Sequence, residues 1–232
     1  MPATLFLIPV PIAEGDIKSC CSEVIAVTRK LQCYVVENAR TARRMLRLFH
    51  PHLVIESIEF LEIDKHSGFD KKVLRQWLQS GKDVGLMSEA GCPAVADPGA
   101  EVVKLAHEAG AVVKPLSGPS SILLALMASG LGGQNFAFWG YLPIKEPARS
   151  TRIKALELLS RKEEQTQIFI ETPYRNDAML ADLLKNCSDA TQLCVAIGLN
   201  SGEEYVKTQT VEVWKKTDIT IGKVPCVFVL FA

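Results

Sequence analysis

Short runs of β-branched and aliphatic residues alternate along this chain with longer segments whose apolar positions recur three and four apart. Residues 4–10 (TLFLIPV), 33–38 (CYVVEN), 54–60 (VIESIEF), 83–88 (DVGLMS) and 111–116 (AVVKPL) are of the first kind and predict strands. Residues 17–31, 39–49, 69–81 and 100–110 are of the second kind and predict helices. The spacing is plainest in 69–81, where Phe69, Val73, Leu74, Trp77 and Leu78 mark one face and Gly81 supplies a stop. Strands alternating with helices in this order form βαβ units and a largely parallel sheet.

The rhythm restarts at Gly118. A helix is predicted over 119–130, opening on Pro119, then a strand over 135–142, a helix over 149–162, a strand over 165–171, a helix over 174–187 and a strand over 192–199. The remainder reads as further strands around a short helix, and Val227 to Phe231 is a continuous apolar run suited to a strand buried on both faces. The expected fold class is α/β, as two α/β domains with mixed, largely parallel sheets. The boundary falls at 116–118, giving domains 1–116 and 117–232.

Composition narrows the classes. With 232 residues and 48% hydrophobic content the chain can bury a full core. Its 26 basic and 26 acidic residues leave no net field to attract nucleic acid or an anionic membrane, so any such affinity needs a local patch. No apolar stretch reaches the roughly 20 residues that cross a bilayer. The N-terminal apolar run lacks a basic flank and reads as a strand instead of a signal peptide. Seven cysteines, odd in number and without a C-x-x-C pair, indicate neither a disulfide framework nor a zinc site. A cytoplasmic protein is expected. His50, His52, His66 and His107 are expected at the surface; His50-Pro51-His52 has no third ligand nearby, so no metal is expected.

The chemistry lies in the loops. G-x-x-x-x-G-K and G-x-G-x-x-G phosphate loops are absent. Three other loops each follow a predicted strand and precede a predicted helix: MSEAGCPAVADPG (87–99), PLSGPSS (115–121) and IETPYR (170–175). Ligands of open α/β sheets bind outside the carboxyl ends of the strands, where all three sit. In the first, Gly91 and Gly99 permit close approach or positive φ, Pro93 and Pro98 stiffen the loop, and Ser88, Glu89 and Asp97 supply hydrogen-bonding groups. Read as ordinary structure, Asp97-Pro98 is a helix cap with its first-turn proline, and 115–121 is a domain linker.

These three loops, in this order and spacing, resemble the tetrapyrrole methylase superfamily of S-adenosylmethionine-dependent methyltransferases. Within it they are most similar to the branch that methylates a cytidine ribose 2′-hydroxyl of bacterial small-subunit rRNA. That branch reads S-D-A-G-T-P-x-x-S-D-P-G, then P-L-P-G-P-S-A, then F-Y-E-S-P-H-R. VPIAEGDI (10–17) and VENARTARRML (36–46) resemble two further motifs, so the likeness spans nearly the whole chain. It implies the tetrapyrrole methylase fold, with S-adenosylmethionine in a cleft between two domains, and a homodimer. It assigns Ser88, Glu89, Gly91, Cys92, Pro119, Ser120 and Ser121 to the cofactor, with Pro11, Phe169 and Leu199 completing the pocket. The chain departs from the pattern at named places. Glu89 stands for Asp, Cys92 for Thr, Ala96 for Ser, Ala13-Glu14 for Gly-Asn and Asn38-Ala39 for Asp-Thr; Ile197, Gly198 and Ser201 stand for the Arg, Glu and Lys of an A-R-E-L-T-K segment.

A sulfonium methyl is already activated, so methyl transfer asks mainly for positioning. A ribose hydroxyl is weakly acidic and benefits from a base or from stabilisation of the developing alkoxide. Glu37 and Glu171 are the candidate bases, and Arg40, Arg43 and Arg175 the candidate phosphate or alkoxide partners. Four arginines in eight residues (Arg40, Arg43, Arg44, Arg47) form the densest basic patch of a neutral chain, the expected contact for rRNA on the small ribosomal subunit. Two other readings stay open: a methyltransferase of a tetrapyrrole-like or other small molecule, and a module that keeps the cofactor pocket without catalysis.

Overall fold

A computed structural model describes residues 2–64 and 67–232; His66 lies outside the described residues. The chain divides into two compact units, Met1–Ser120 and Ser121–Ala232.

The first unit runs β1 (Thr4–Ile8), α1 (Ser22–Thr28), β2 (Cys33–Val36), α2 (Ala39–Phe49), β3 (Glu59–Glu62), α3 (Lys71–Gln79), β4 (Val84–Met87), α4 (Ala100–Glu108) and β5 (Val112–Pro115). Its five strands are ordered β3-β2-β4-β1-β5 and all pair in parallel. Both faces of the sheet are covered, which is why the strands read as unbroken apolar runs. Side chains alternate between faces with a period of two. Tyr34, Val36 and Met87 join Leu46 and Phe49 of α2 in one core cluster, whereas Cys33, Val35, Val84 and Leu86 join Leu74 and Trp77 of α3 and Val102 and Leu105 of α4 in another. Burial of a side chain such as Leu46 is worth about 1.5–3 kcal/mol.

Three local expectations change. Residues 17–31 are not one helix: a 3-10 turn at Ile17–Ser19 precedes α1, with the chain extended at Cys21. The helix closes at Thr28, whose hydroxyl donates to the Val24 carbonyl and whose own carbonyl accepts from the Tyr34 hydroxyl. Residues 54–60 are not extended throughout. A 3-10 turn at Ile55–Ser57 brings Ile55 and Ile58 into the same core cluster, which a strand would send to opposite faces. Asp97-Pro98 does not cap α4; the capping position is Gly99, at φ 136°.

The second unit runs α5 (Ser121–Ser129), β6 (Phe136–Tyr141), α6 (Ala148–Glu163), β7 (Thr166–Glu171), α7 (Asn176–Asn186), β8 (Gln192–Ile197), β9 (Tyr205–Thr210), α8 (Val211–Trp214) and β10 (Cys226–Phe231). Its sheet is ordered β6-β7-β10-β8-β9 and is mixed: β6 and β7 are parallel, and β10 lies antiparallel to both β7 and β8. The apolar run at 227–231 is thus a central strand. Ile153, Leu156, Met179, Leu183 and Trp214 of its helices pack with Phe169, Val195 and Phe228 of the sheet. Because β10 is reversed, the carboxyl ends of β6, β7 and β8 share one edge with the start of β10, where Cys226 stands opposite both Glu171 and Ile197.

All seven cysteines are free. Among the described residues no helix is long and apolar enough to cross a membrane, and no group of three His, Cys, Asp or Glu side chains could hold a metal ion.

Candidate functional site

In the first unit the loops after β1, β4 and β5 are tied together at the carboxyl edge of the sheet. Val10 and Gly91 exchange both backbone hydrogen bonds, at 2.9 and 3.1 Å. The Cys92 thiol reaches the Pro119 carbonyl at 3.4 Å, and the Cys21 thiol reaches the Ser117 carbonyl at 3.1 Å. Burial raises the Cys92 pKa, which keeps the thiol a donor. Gly118 packs against Pro9 so closely that a Cβ there would lie 2.2 Å from the Pro9 Cβ. Gly91 sits at φ 71°, a conformation that L side chains rarely adopt; an added Cβ would make ordinary contacts with Ile12 at 3.4 Å and the Pro119 carbonyl at 3.7 Å. Pro11, Ser88, Gly91, Cys92, Pro119 and Ser120 are thus brought together, with Pro11, Ser88, Gly91 and Pro119 buried. Both backbone groups of Gly91 are taken by Val10, so it clamps one loop to another. Beyond it, Ala94 and Ala96 hold positive φ of 65° and 62°, a conformation that costs a residue with a Cβ and persists only where the surroundings impose it.

The arginine helix is joined to this loop. Asn38 caps α2, its side-chain oxygen accepting from the Arg40 and Thr41 amides. The Glu37 carboxylate accepts from the Glu89 amide at 3.3 Å, and the Thr41 hydroxyl donates to the Glu89 carboxylate at 3.0 Å. Arg40, Arg43, Arg44, Arg47 and Leu48 line a surface groove of about 420 Å³. Arg43 lies over the Phe60 ring at 5.1 Å and Arg44 pairs with Glu14. Arg40 and Arg47 are exposed and form no ion pair among the described residues.

In the second unit Glu171 ends β7 and pairs with Arg175 at 2.6 Å, its side chain fully sealed from solvent while that of Arg175 is 32% exposed. The carboxylate raises the Arg175 pKa through the charge-assisted hydrogen bond. The Phe169 ring stacks on Phe228 at 5.6 Å inside the core. Leu199 follows β8 and is buried; Ser121 opens α5 half-buried. His50 is not at the surface either. It ends α2, its ring nitrogen bonds the Thr28 hydroxyl at 2.9 Å, and Nδ1 is buried without a partner. Sequence reasoning passed over Thr41, which holds Glu89, and the polar Thr172 and Asn176; only Asn38 carried a readable signal, as a capping residue before a periodic helix.

No family model matches the chain. Over 204 residues it is 35% identical to the ribosomal RNA small subunit methyltransferase I of Vibrio cholerae serotype O1, covering 88% of this chain and 67% of that relative. The chain belongs to the ribosomal RNA small subunit methyltransferase I family. The relative of the same name in Bacillus subtilis is 29% identical over 221 residues, which is 94% of this chain and 72% of that one. Among solved structures, diphthine synthase superposes with a TM-score of 0.68 at 18% identity, over 99% of this chain and 90% of that one. Uroporphyrin-III-C-methyltransferase from Thermus thermophilus does so with a TM-score of 0.58 at 16% identity, over 99% and 94%. The fold is that of the tetrapyrrole methylases. Within the ribosomal RNA small subunit methyltransferase I family, this member's departures have local partners. Glu14 takes Arg44, Asn38 takes the helix cap, and Cys92 takes the Pro119 carbonyl.

Proposed function

We propose that this protein is an S-adenosylmethionine-dependent methyltransferase that acts on a ribose 2′-hydroxyl of small-subunit rRNA, in the cytoplasm and as a homodimer. The observation that carries the RNA reading is the link from the arginine groove to the knotted loops. Arg40, Arg43, Arg44 and Arg47 sit on the helix whose first turn holds Glu89 through Thr41, beside the loop proposed for the cofactor. Four guanidiniums along one helix suit a strand of regularly spaced phosphates.

The fit to the cofactor rests on the same loops. Pro11, Ser88, Glu89, Gly91, Cys92, Pro119 and Ser120 form a tight, preorganised edge in which Gly118 has no space for a side chain and Gly91 holds a positive φ. In the second unit, Ser121, Phe169 and Leu199 are the proposed cofactor contacts. When bound, the cofactor supplies a methyl group on a sulfonium sulfur, already activated towards a nucleophile. The chain's own residues then have three tasks. Arg40 and Arg47 hold phosphates of the acceptor strand and set its register. Arg43 stiffens the groove through Phe60. Glu37, whose carboxylate is anchored by the Glu89 amide, receives the proton of the ribose hydroxyl.

The test is methyl incorporation from labelled cofactor into undermethylated small ribosomal subunits. Incorporation at a ribose 2′-oxygen is expected, and its absence with an active cofactor pocket would overturn the RNA reading. Replacing Arg40 and Arg47 together by alanine is expected to weaken RNA binding about tenfold and to flatten the salt dependence by about 1.4 in log–log slope, because two fewer phosphates are neutralised. Cofactor affinity measured by calorimetry is expected to stay unchanged. An unaltered salt slope would make the helix an ordinary solvated face.

A further inference from the structure

The carboxyl edge of the second sheet concentrates polar atoms without partners. Within residues 171–176, Glu171 Oε2, Thr172 Oγ1, Arg175 Nε and Asn176 Oδ1 are all buried and bonded to nothing. The Glu171–Arg175 ion pair does not require this arrangement. Arg175 and the Thr172 amide both use Oε1 of Glu171, so Oε2 is left over. Asn176 is oriented by its Nδ2, which donates to the Val224 carbonyl at 2.7 Å, so Oδ1 is the atom held back. Buried polar groups are nearly always satisfied, and a cluster of exceptions marks a place where something else supplies the bonds.

A second, independent feature surrounds the cluster. Tyr174 is 80% exposed and Tyr141 57% exposed, two aromatic rings open to solvent near this edge. Tyr141 stands beside Ile170 in the β6–β7 ladder, next to Glu171, and Lys223 lies over the Tyr174 ring at 5.3 Å. Exposed rings with cations beside them are the platform on which an unstacked base rests.

We propose that this edge is a nucleobase-recognition site for an unpaired base of the acceptor RNA, selective for an exocyclic amine beside an unprotonated ring nitrogen, the edge shared by cytosine and adenine. Glu171 Oε2 and Asn176 Oδ1 accept from the amine, the Thr172 hydroxyl donates to the ring nitrogen, and the base stacks on an exposed tyrosine. Uracil and guanine present a carbonyl oxygen where the amine is needed, and that oxygen would face the carboxylate. Arg175 is the movable part. Turning its partly exposed guanidinium to a phosphate of the incoming strand uncovers Glu171, and each charge exchanges one partner for another. The proposal rests on the RNA-methyltransferase reading above and adds base selection to it.

The experiment titrates the full chain with fluorescein-labelled oligo(C), oligo(A) and oligo(U) and reads anisotropy. Oligo(C) and oligo(A) are expected to bind about tenfold more tightly than oligo(U). Glu171→Gln is expected to bring that ratio to about one, because an amide presents either a donor or an acceptor. Thr172→Val, a change of one hydroxyl for one methyl, is expected to reduce the ratio should Glu171→Gln fail to fold. Tyr174→Ala, at an exposed position, is expected to weaken all three oligonucleotides about tenfold and to leave the ratio in place. S-adenosylhomocysteine affinity, measured by calorimetry on the same variants, is expected to be unchanged. A wild-type ratio near one, or a ratio that survives both Glu171→Gln and Thr172→Val, overturns base selection while the RNA reading stands. Loss of S-adenosylhomocysteine binding in those variants assigns the site to the adenine of the cofactor and overturns it too. Failure of the wild-type protein to bind any oligonucleotide overturns the RNA reading itself.

Discussion

The two sheets end in opposite ways. At the carboxyl edge of the first, Val10 pairs with Gly91, the Cys92 thiol with the Pro119 carbonyl and the Cys21 thiol with the Ser117 carbonyl, and Gly118 lets the loops touch. At the carboxyl edge of the second, Glu171, Thr172, Arg175 and Asn176 keep buried atoms without partners. An orphaned buried group costs about 1–3 kcal/mol, so the second edge gives up stability that the first retains. The difference separates two kinds of ligand work. A knotted backbone edge offers a fixed shape suited to a constant ligand, and a set of unfilled acceptors offers discrimination between similar ones.

The strongest way to break this comparison is at Gly118. Gly118→Ala forces a Cβ against the rigid Pro9 ring and is expected to destabilise the protein by about 3 kcal/mol, read by urea unfolding. A loss below about 1 kcal/mol would mean the loops are not knotted. Gly91→Val comes next. A β-branched residue at φ 71° is strained by about 2 kcal/mol, and the Val10 pairing it holds is expected to open, lowering S-adenosylhomocysteine affinity about tenfold or more in calorimetry. Retained affinity in the folded variant would separate the clamp from the ligand.

The second edge is expected to respond with the opposite sign. Thr172→Val removes an unsatisfied buried hydroxyl and is expected to raise stability by about 1 kcal/mol, seen as a higher urea midpoint. A lower midpoint would show that the hydroxyl is satisfied in solution.

The smallest effect concerns His50, the one partnerless buried side-chain atom of the first unit among the described residues. Its pKa is lowered from 6.5, first by burial and then by Arg29, and burial outweighs the pull of the α2 carboxyl end towards the charged form. Below about pH 6.5 the unfolded chain therefore binds more protons than the folded one. The contribution is full above that pH and declines as pH falls through the window down to the folded value. Thermal midpoints at pH 5.5 and 7.5 are expected to differ less in His50→Gln than in the wild type. An equal difference would place the pH dependence elsewhere.

Much of the fold was legible because the first unit obeys a local rule. Val84 to Met87 and Cys33 to Val36 are apolar throughout because helices cover both faces, and the helical spacing of 69–81 reports its own buried face. The loops were legible as a motif, and Ser88, Gly91, Cys92 and Pro119 do come together. Legibility ended where side-chain partners are distant in sequence. Nothing local to Thr41 says that its hydroxyl holds Glu89, 48 positions away. Nothing local to His50 says that it is buried against Thr28, because His-Pro-His looks like a surface turn.

Alternation of apolar and polar positions and the spacing of glycine and proline, both local properties, determined most of the element order, the α/β class and the position of the strand-end loops. The tertiary structure decided what those loops are made to do. It reversed β10 and so gathered Tyr141, Glu171 and the segment after Ile197 on one edge. It consumed the backbone of Gly91 in a clamp, and it left Glu171 Oε2 and Asn176 Oδ1 unsatisfied. Hydrogen-bond satisfaction is a property of the folded neighbourhood, set by groups that meet only after the sheet has formed, so no reading of residues in order could assign it.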